Sequence, residues 1–271
     1  MKVLSLFDGM SCGQIALERS GLKVDDYFAS EIDRYAMQVT MKNYPNTKQI
    51  GSVTEVSSRD LPKIDLQIGG SPCQGFSLAG NRLNFEDPRS KLFFEFVRLL
   101  KECKPKHFLL ENVKMKKEWE KIITEALGVE PIEISSDKFV PQKRKRLYWT
   151  NIPNIEQPKQ KEYDVNDFFE GDGFPSSCDV KREFKKKTVF NTLTATYYKG
   201  IRGSGRPAVS TKEGFLDDDR DAHRMLTPNE CEALQTVPKN YTNACSNTQR
   251  YKMLGNGWTV DVIAHILKTL K

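Results

Sequence analysis

Over the first half of the chain, short apolar runs ending in glycine or an acid alternate with stretches whose apolar residues recur at helical spacing. KVLSLF (Lys2 to Phe7) reads as a buried strand, DGMSCG (Asp8 to Gly13) as a turn, and QIALERSG (Gln14 to Gly21) as a helix stopped by Gly21. DDYFAS, running up to Glu31, is a second strand, and RYAMQVTMKNY a second helix. IDLQIGG (Ile64 to Gly70) is strand-like and leads into SPCQGFS. KLFFEFVRLLKECK (Lys91 to Lys104) is a strongly amphipathic helix, and KHFLLENV (Lys106 to Val113) a strand and then a turn. KKEWEKIITEALG is helical, and KRLYWTN a further strand. Such alternation predicts an α/β fold, a mainly parallel sheet covered on both faces. Ligands bind such sheets beyond the carboxyl ends of the strands. DGMSCG, Glu31, the PCQ turn and ENV all fall there.

The texture changes near Pro158. Residues 158–222 are polar, charged and rich in Gly and Thr, and predict a small second domain or a large inserted loop region. Regularity returns with LTPNECEALQTVP, where Thr227 suits a helix cap, Pro228 the first turn and Glu230 a capping box. GNGWTVDVIAHILKTLK reads as a Gly-rich turn into a last helix.

Composition narrows the class. At 271 residues, 38% hydrophobic and 29% charged, the chain can bury a core without staples. Its formal charge of +6 permits a polyanionic partner without demanding one. The six cysteines (Cys12, Cys73, Cys103, Cys178, Cys231, Cys245) form no CxxC pair, and with three histidines no zinc pattern emerges. No metal is expected. The opening apolar run is too short for a signal peptide, and no window approaches a membrane span. A reducing, cytoplasmic setting is the expectation.

Several residues stand where chemistry is done. A Gly-containing turn between strand and helix, as in DGMSCG, lets backbone approach a ligand closely. Glu31 ends a strand where an acid can accept ribose hydroxyls; a solvated loop carboxylate is the plain alternative. Cys73 follows Pro72 in a tight turn and needs a nearby positive charge to become a thiolate. Glu111 ends an apolar strand, where burial can tune a carboxyl for proton work. In VPQKRKRLYW, Gln142, Arg144 and Arg146 share one face if the segment is extended. Residues 181–206 interleave lysines and arginines with Phe184, Phe190, Tyr197 and Tyr198, which suits a nucleic-acid backbone or a solvated loop.

In this order the motifs closely resemble the cytosine-C5 DNA methyltransferase family. FDGMSCG resembles its first cofactor motif, GGSPCQGFS its nucleophile loop, LLENV its catalytic glutamate motif and VPQKRKR its Gln-x-Arg-x-Arg motif. RMLTPNECEALQTVP resembles a late scaffold helix, and LGNGWTVDVI the last cofactor motif. The likeness covers residues 1–150 and 224–271 and extends to compact phage, bacterial and animal de novo members. Two places depart from the pattern: Ser52 stands where an adenine-contacting Asp is usual, and Gly257 where Ser is usual.

The resemblance implies a Rossmann-like S-adenosylmethionine-dependent methyltransferase sheet with a small target-recognition domain. Residues 1–154 and 246–271 would form the catalytic domain and 155–245 the recognition region. It implies methyl transfer to C5 of a cytosine flipped out of double-stranded DNA within a short site. Cys73, Glu111, Arg146 and Arg144 would be catalytic, with Glu111 neutral and holding N3 of the base. Phe7, Asp8, Gly9, Gly13, Glu31, Asp65, Asn256 and Val260 would hold S-adenosyl-L-methionine. Ser77, Arg82, Gln142, Thr194, Lys199 and Arg202 would meet DNA, and a monomer is favoured. A tRNA methyltransferase and a non-catalytic DNA-binding scaffold of the same fold are the alternatives.

Overall fold

In a computed structural model of the chain, residues 1–72, 88–171, 173–178, 184–201, 205–210 and 223–271 are described. They form two compact units. The first comprises residues 1–134, 145–157 and 264–271; the second comprises 135–144 and 158–263. The second unit is thus larger than the expected 155–245 region. It takes in 135–144 and 246–263 because buried side-chain hydrogen bonds tie them together, as when Gln142 Nε2 donates to Leu234 O at 3.0 Å and Gln235 Nε2 to Leu254 O at 2.8 Å.

The first unit follows the predicted alternation. β1 (Lys2–Leu6), α1 (Cys12–Ser20), β2 (Asp26–Ser30), α2 (Arg34–Asn43) and β3 (Lys48–Gln49) open the chain. β4 (Leu66–Gly70), α3 (Pro88–Cys103), β5 (His107–Val113), α4 (Lys117–Leu127) and β6 (Ile132–Ser135) follow. A two-residue strand, β7 (Gln142–Lys143), then precedes β8 (Lys145–Thr150). The sheet order is β3-β2-β1-β4-β5-β8-β6. β1 pairs in parallel with β2 and β4, and β4 with β5, whereas β8 runs antiparallel to β5. The chain winds outward in opposite directions from β1 and β4, which makes their carboxyl ends the switch point where such sheets bind ligands. ENV lies inside β5, so Glu111 is a strand residue and not part of a turn.

The helices end where their caps dictate. Gly21 takes the left-handed conformation after α1, and the Asp33 carboxylate accepts from Tyr35 N–H at the start of α2. α3 lays Phe93, Phe96 and Leu99 on the sheet, where they meet Leu4, Leu6, Phe108 and Trp149 in one core cluster. Burying each such side chain contributes roughly 1.5–3 kcal/mol. Close packing needs two glycines. A Cβ on Gly13 would lie 2.5 Å from Ile68 Cδ1, and one on Gly69 2.8 Å from Leu6 O.

In the second unit, β9 (Phe174–Cys178), β10 (Phe184–Lys186), β12 (Pro207–Ser210) and β13 (His223–Arg224) form an antiparallel sheet ordered β10-β9-β12-β13. β11 (Phe190–Asn191) pairs in parallel with β7. α5 (Pro228–Leu234) begins with the predicted capping box between Thr227 and Glu230. The expected Gly-rich turn at GNG closes a helix that periodicity did not show, α6 (Asn247–Asn256), before α7 (Val260–Leu267). The single strand expected over VPQKRKRLYW is broken at Arg144, which lies between β7 and β8. Arg144 and Arg146 therefore belong to different units and share no strand face.

Replacing Gly13 by Ala forces Ile68 and the Tyr27 hydroxyl aside. Overpacking of this kind costs about 1–3 kcal/mol, and a lowered urea midpoint with unchanged m-value is the expected result.

Candidate active site

The turn after β1 is held open by alternating left-handed residues: Phe7 has φ 57°, Gly9 φ 59° and Ser11 φ 58°. Left-handed backbone at Phe7 and Ser11 is costly and needs outside support. Asp8 supplies part of it. Tyr27 Oη donates to Asp8 Oδ1 at 2.6 Å, and Ser11 Oγ donates to Asp8 Oδ2. Thr40 Oγ1 donates to Ser11 Oγ at 3.2 Å. Burial pushes the Asp8 carboxyl up to about 6, against hydrogen bonds from Ser11, Ser5 and Tyr27 that pull it down.

Glu31 stands just beyond β2. Its Oε2 accepts from Gly9 N–H at 2.7 Å, and its Oε1 accepts from the N–H groups of Ile32 and Asp33 at 2.8 Å each. The carboxylate is thus locked to the β1 turn by backbone donors. Beside it Ile32 is 77% exposed, an unusual state for so apolar a side chain.

On the other side of the switch point, Gly70 of β4 pairs with Glu111 of β5. The antiparallel register of β5 and β8 sets Val113 opposite Arg146 and Glu111 opposite Tyr148, which places Arg146 diagonally beside Glu111. Arg146 Nε and Glu111 Oε1 form an ion pair at 2.9 Å, with the side chains 14% and 11% exposed. Arg146 Nη1 also donates to Lys145 O at 2.8 Å. Next to them Asn112 Nδ2 donates to Ser71 Oγ at 3.0 Å, fixing the residue two before Cys73. Cys73, Ser77, Arg82 and Arg202 lie outside the described residues.

The sequence pattern of C-5 cytosine-specific DNA methylases matches residues 1–171 and 168–271 of this chain. The type II methyltransferase M1.ScrFI of Lactococcus lactis subsp. cremoris is 32% identical, over 99% of this chain and 77% of its own length. The chain belongs to the C-5 cytosine-specific DNA methylase family. The type II methyltransferase M.HhaI of Haemophilus parahaemolyticus is 27% identical over 98% of this chain and 93% of its own. The Entamoeba histolytica methyltransferase EhMeth superposes with a TM-score of 0.80 at 21% identity, covering 100% of this chain and 99% of that one, which shows the shared fold. The chemistry of the family is DNA cytosine-5 methylation, and that is the activity of this chain. Among the described residues no acid, His and Cys group is arranged to hold a metal, and no helix is long and apolar enough to cross a membrane.

Within this methylase the sheet brings Phe7, Asp8, Gly9 and Glu31 to one place and Glu111 with Arg146 to another. Five expected site residues make other contacts. Asp65 precedes β4 at the amino ends of the strands, where its Oδ2 accepts from Lys2 N–H at 2.7 Å, so it is remote from the carboxyl-end loops. Gly13 is buried, and its missing Cβ serves helix packing. Val260 is 0% exposed, and its N–H donates to Gln235 O at 3.0 Å. Gln142, also 0% exposed, donates to Leu234 O and accepts from Leu193 N–H instead of facing DNA. Arg144 is buried among backbone carbonyls of the second unit. Asn256 ends α6 and is exposed; Thr194 and Lys199 are exposed in the second unit.

Sequence reading missed Tyr27, Ser11 and Thr40 around Asp8, Asn112 bonded to Ser71, and Ile32. The first four look like ordinary core polar residues in a sequence. Ile32 carried a signal, an apolar residue directly after a strand-ending acid with no helix face to join.

Between pH about 4 and about 6 the unfolded chain has released the Asp8 proton while the folded chain retains it. The folded state binds more protons there, so this group's contribution to stability is greatest below that window and is lost as pH rises through it. Asp8→Asn does not titrate. Its stability relative to the parent is expected to rise by on the order of 2 kcal/mol between pH 4 and 7, read from urea unfolding across pH. Parallel profiles would contradict a desolvated Asp8 carboxyl.

Proposed function

We propose that this methylase transfers a methyl group from S-adenosyl-L-methionine to C5 of a cytosine flipped from double-stranded DNA, through a covalent bond to Cys73. The observation that carries it is the largely buried Glu111–Arg146 pair, beside the end of β4, which leads along the chain to Pro72 and Cys73. A carboxylate and a guanidinium held side by side in a low-dielectric site can meet the polar edge of a pyrimidine.

The β1 turn fits the cofactor. Glu31 has both oxygens oriented by backbone donors and keeps lone pairs for the ribose hydroxyls. Exposed Ile32 offers an apolar surface to a flat ring. Bound there, the cofactor supplies an electrophilic methyl group. Phe7 and Gly9 shape the turn, and Asp8 supports it from beneath. Asn256 remains a proposed cofactor residue on the strength of its motif.

Cytosine C5 is a poor nucleophile until C6 is attacked. The Cys73 thiolate adds to C6, and the electron pair of the C5–C6 double bond is drawn through the ring towards N3. Glu111, carrying a proton at that stage, hydrogen-bonds and protonates N3. Arg146 stabilises the base O2 and favours the thiolate. C5, then enamine-like, would take the methyl carbon as that carbon's bond to the cofactor sulfur breaks, with S-adenosylhomocysteine as by-product, and N3 would return its proton to Glu111. Loss of the C5 proton to water and expulsion of Cys73 restore the ring. The 77–89 segment is proposed to close over the flipped base, with Ser77 and Arg82 near DNA. Thr194, Lys199 and Arg202 are proposed to contact the backbone, Thr194 at the flipped nucleotide. The recognised sequence is proposed to be short.

Incubation with tritiated S-adenosylmethionine, duplex DNAs and tRNA in parallel tests the reading. Labelled 5-methylcytosine in DNA, abolished by Cys73→Ala and lowered about 10²–10⁴-fold in kcat by Glu111→Gln, is the expected result. Label in tRNA alone overturns the substrate, and undiminished labelling by Cys73→Ala overturns the nucleophile.

A further inference from the structure

The second unit contains a buried guanidinium that the reaction does not use. Arg144 is 4% exposed. Its Nη1 donates to Leu193 O at 3.0 Å and Gly255 O at 3.3 Å, and its Nη2 to Gly255 O at 3.3 Å and Gly257 O at 2.9 Å. One planar fork thus staples the 193 segment to the turn that closes α6. The opposite edge of Leu193 is fixed as well, because its N–H donates to Gln142 Oε1 at 2.8 Å. Gln142 is held in turn, its Nε2 donating to Leu234 O at 3.0 Å. Gly255 completes the clamp. A Cβ there would strike the Thr194 carbonyl and the Ala195 nitrogen, so the two backbones lie in direct contact.

Residue 193 is therefore immobilised through both its N–H and its carbonyl, and the next residue turns outward. Thr194 and Thr196 are exposed, with Oγ1 atoms 3.2 Å apart. Arg206 Nη2 donates to Thr196 Oγ1 at 3.5 Å, and exposed Lys199 follows on the same turn. That turn is anchored by Tyr197, fully buried, whose hydroxyl donates to Pro207 O and accepts from Leu226 N–H at 2.8 Å each. Burying a guanidinium is expensive. Here the cost yields a rigid base for a surface of hydroxyls and cations. A lysine cannot span carbonyls on both sides, since it presents a compact ammonium and not a fork.

We propose that Arg144 is a positioning residue for DNA: it fixes the Leu193–Thr194 backbone so that the Thr194 hydroxyl meets a phosphate oxygen of the bound duplex. The proposal rests on the reading of Thr194 given above. A neutral hydroxyl displaces no counterions, whereas a cation touching phosphate does. Salt dependence therefore separates positioning by Arg144 from direct contact.

Duplex affinity is measured across salt for the parent, Arg144→Gln, Thr194→Val and the double variant, with thermal unfolding in parallel. Arg144→Gln and Thr194→Val are each expected to weaken binding about 10-fold with an unchanged slope of log K against log salt, and the double variant to bind no more weakly than the weaker single. Gly255→Ala, which displaces Thr194 while leaving Arg144 in place, is expected to weaken binding similarly, so a poorly folded Arg144→Gln does not end the test. A slope reduced by about 0.9 in Arg144→Gln makes Arg144 a phosphate contact and overturns the proposal. Multiplying losses in the double variant overturn it too, as do Arg144→Gln and Gly255→Ala at parental affinity while Thr194→Val is weakened. If Thr194→Val binds as the parent does, the reading of Thr194 itself fails.

Discussion

The register of three neighbouring strands is the constraint on which the catalytic unit depends. Leu6 of β1 pairs with Gly69 of β4, Gly69 with Leu110 of β5, and Gly70 with Glu111. Hydrogen-bonded ladders move in steps of whole residues, and a slip of one turns every side chain to the other face. The absent side chain of Gly69 lets β4 sit against Leu6 O and the Phe96 ring. With that register set, the β1 turn, the end of β4 and Glu111 arrive together at the carboxyl ends of the parallel strands. The antiparallel β8 then delivers Arg146 to Glu111.

The alternation of strands and helices was readable because both faces of a parallel sheet are buried and its strands carry short apolar runs, such as VL in β1, YFA in β2 and FLL in β5. Signals at element ends were readable too. Thr227 with Glu230 and the glycine stop at Gly21 act through their nearest neighbours in the chain. Glu31 was legible as a strand-ending acid. What escaped depends on contacts between distant segments. Nothing local distinguishes Arg144 from Arg146; the first meets Leu193 and Gly257, the second Glu111. Asp65 misled for the same reason, since an acid beside a strand gives no hint of which end it occupies until β1 is placed next to it. α6 escaped because its polar residues show little helical stripe, and its buried residues Met253, Leu254 and Gly255 are consecutive.

Buried polar groups do much of the positioning in both units. Asp8 is desolvated and hydrogen-bonded under a strained turn. Glu232 is 0% exposed and accepts from the N–H groups of Asn240 and Thr242 while Arg250 lies 3.1 Å away. Each such group ties loops that apolar packing alone would leave loosely defined, because hydrogen bonds have direction and hydrophobic burial has none.

The break at Arg144 has a consequence for modularity. The second unit is made of two separate stretches of chain, 135–144 and 158–263, with β8 and its Arg146 threaded between them. A contiguous cassette cut at residues 158 and 263 would leave behind Gln142 and Arg144, the strand partner of β11 and the staple on Leu193. Exchanging this unit between relatives therefore requires two grafts that keep the host's β8 in place. Sequence change within the 135–144 stretch is tied to the unit it packs into and not to the strand it precedes.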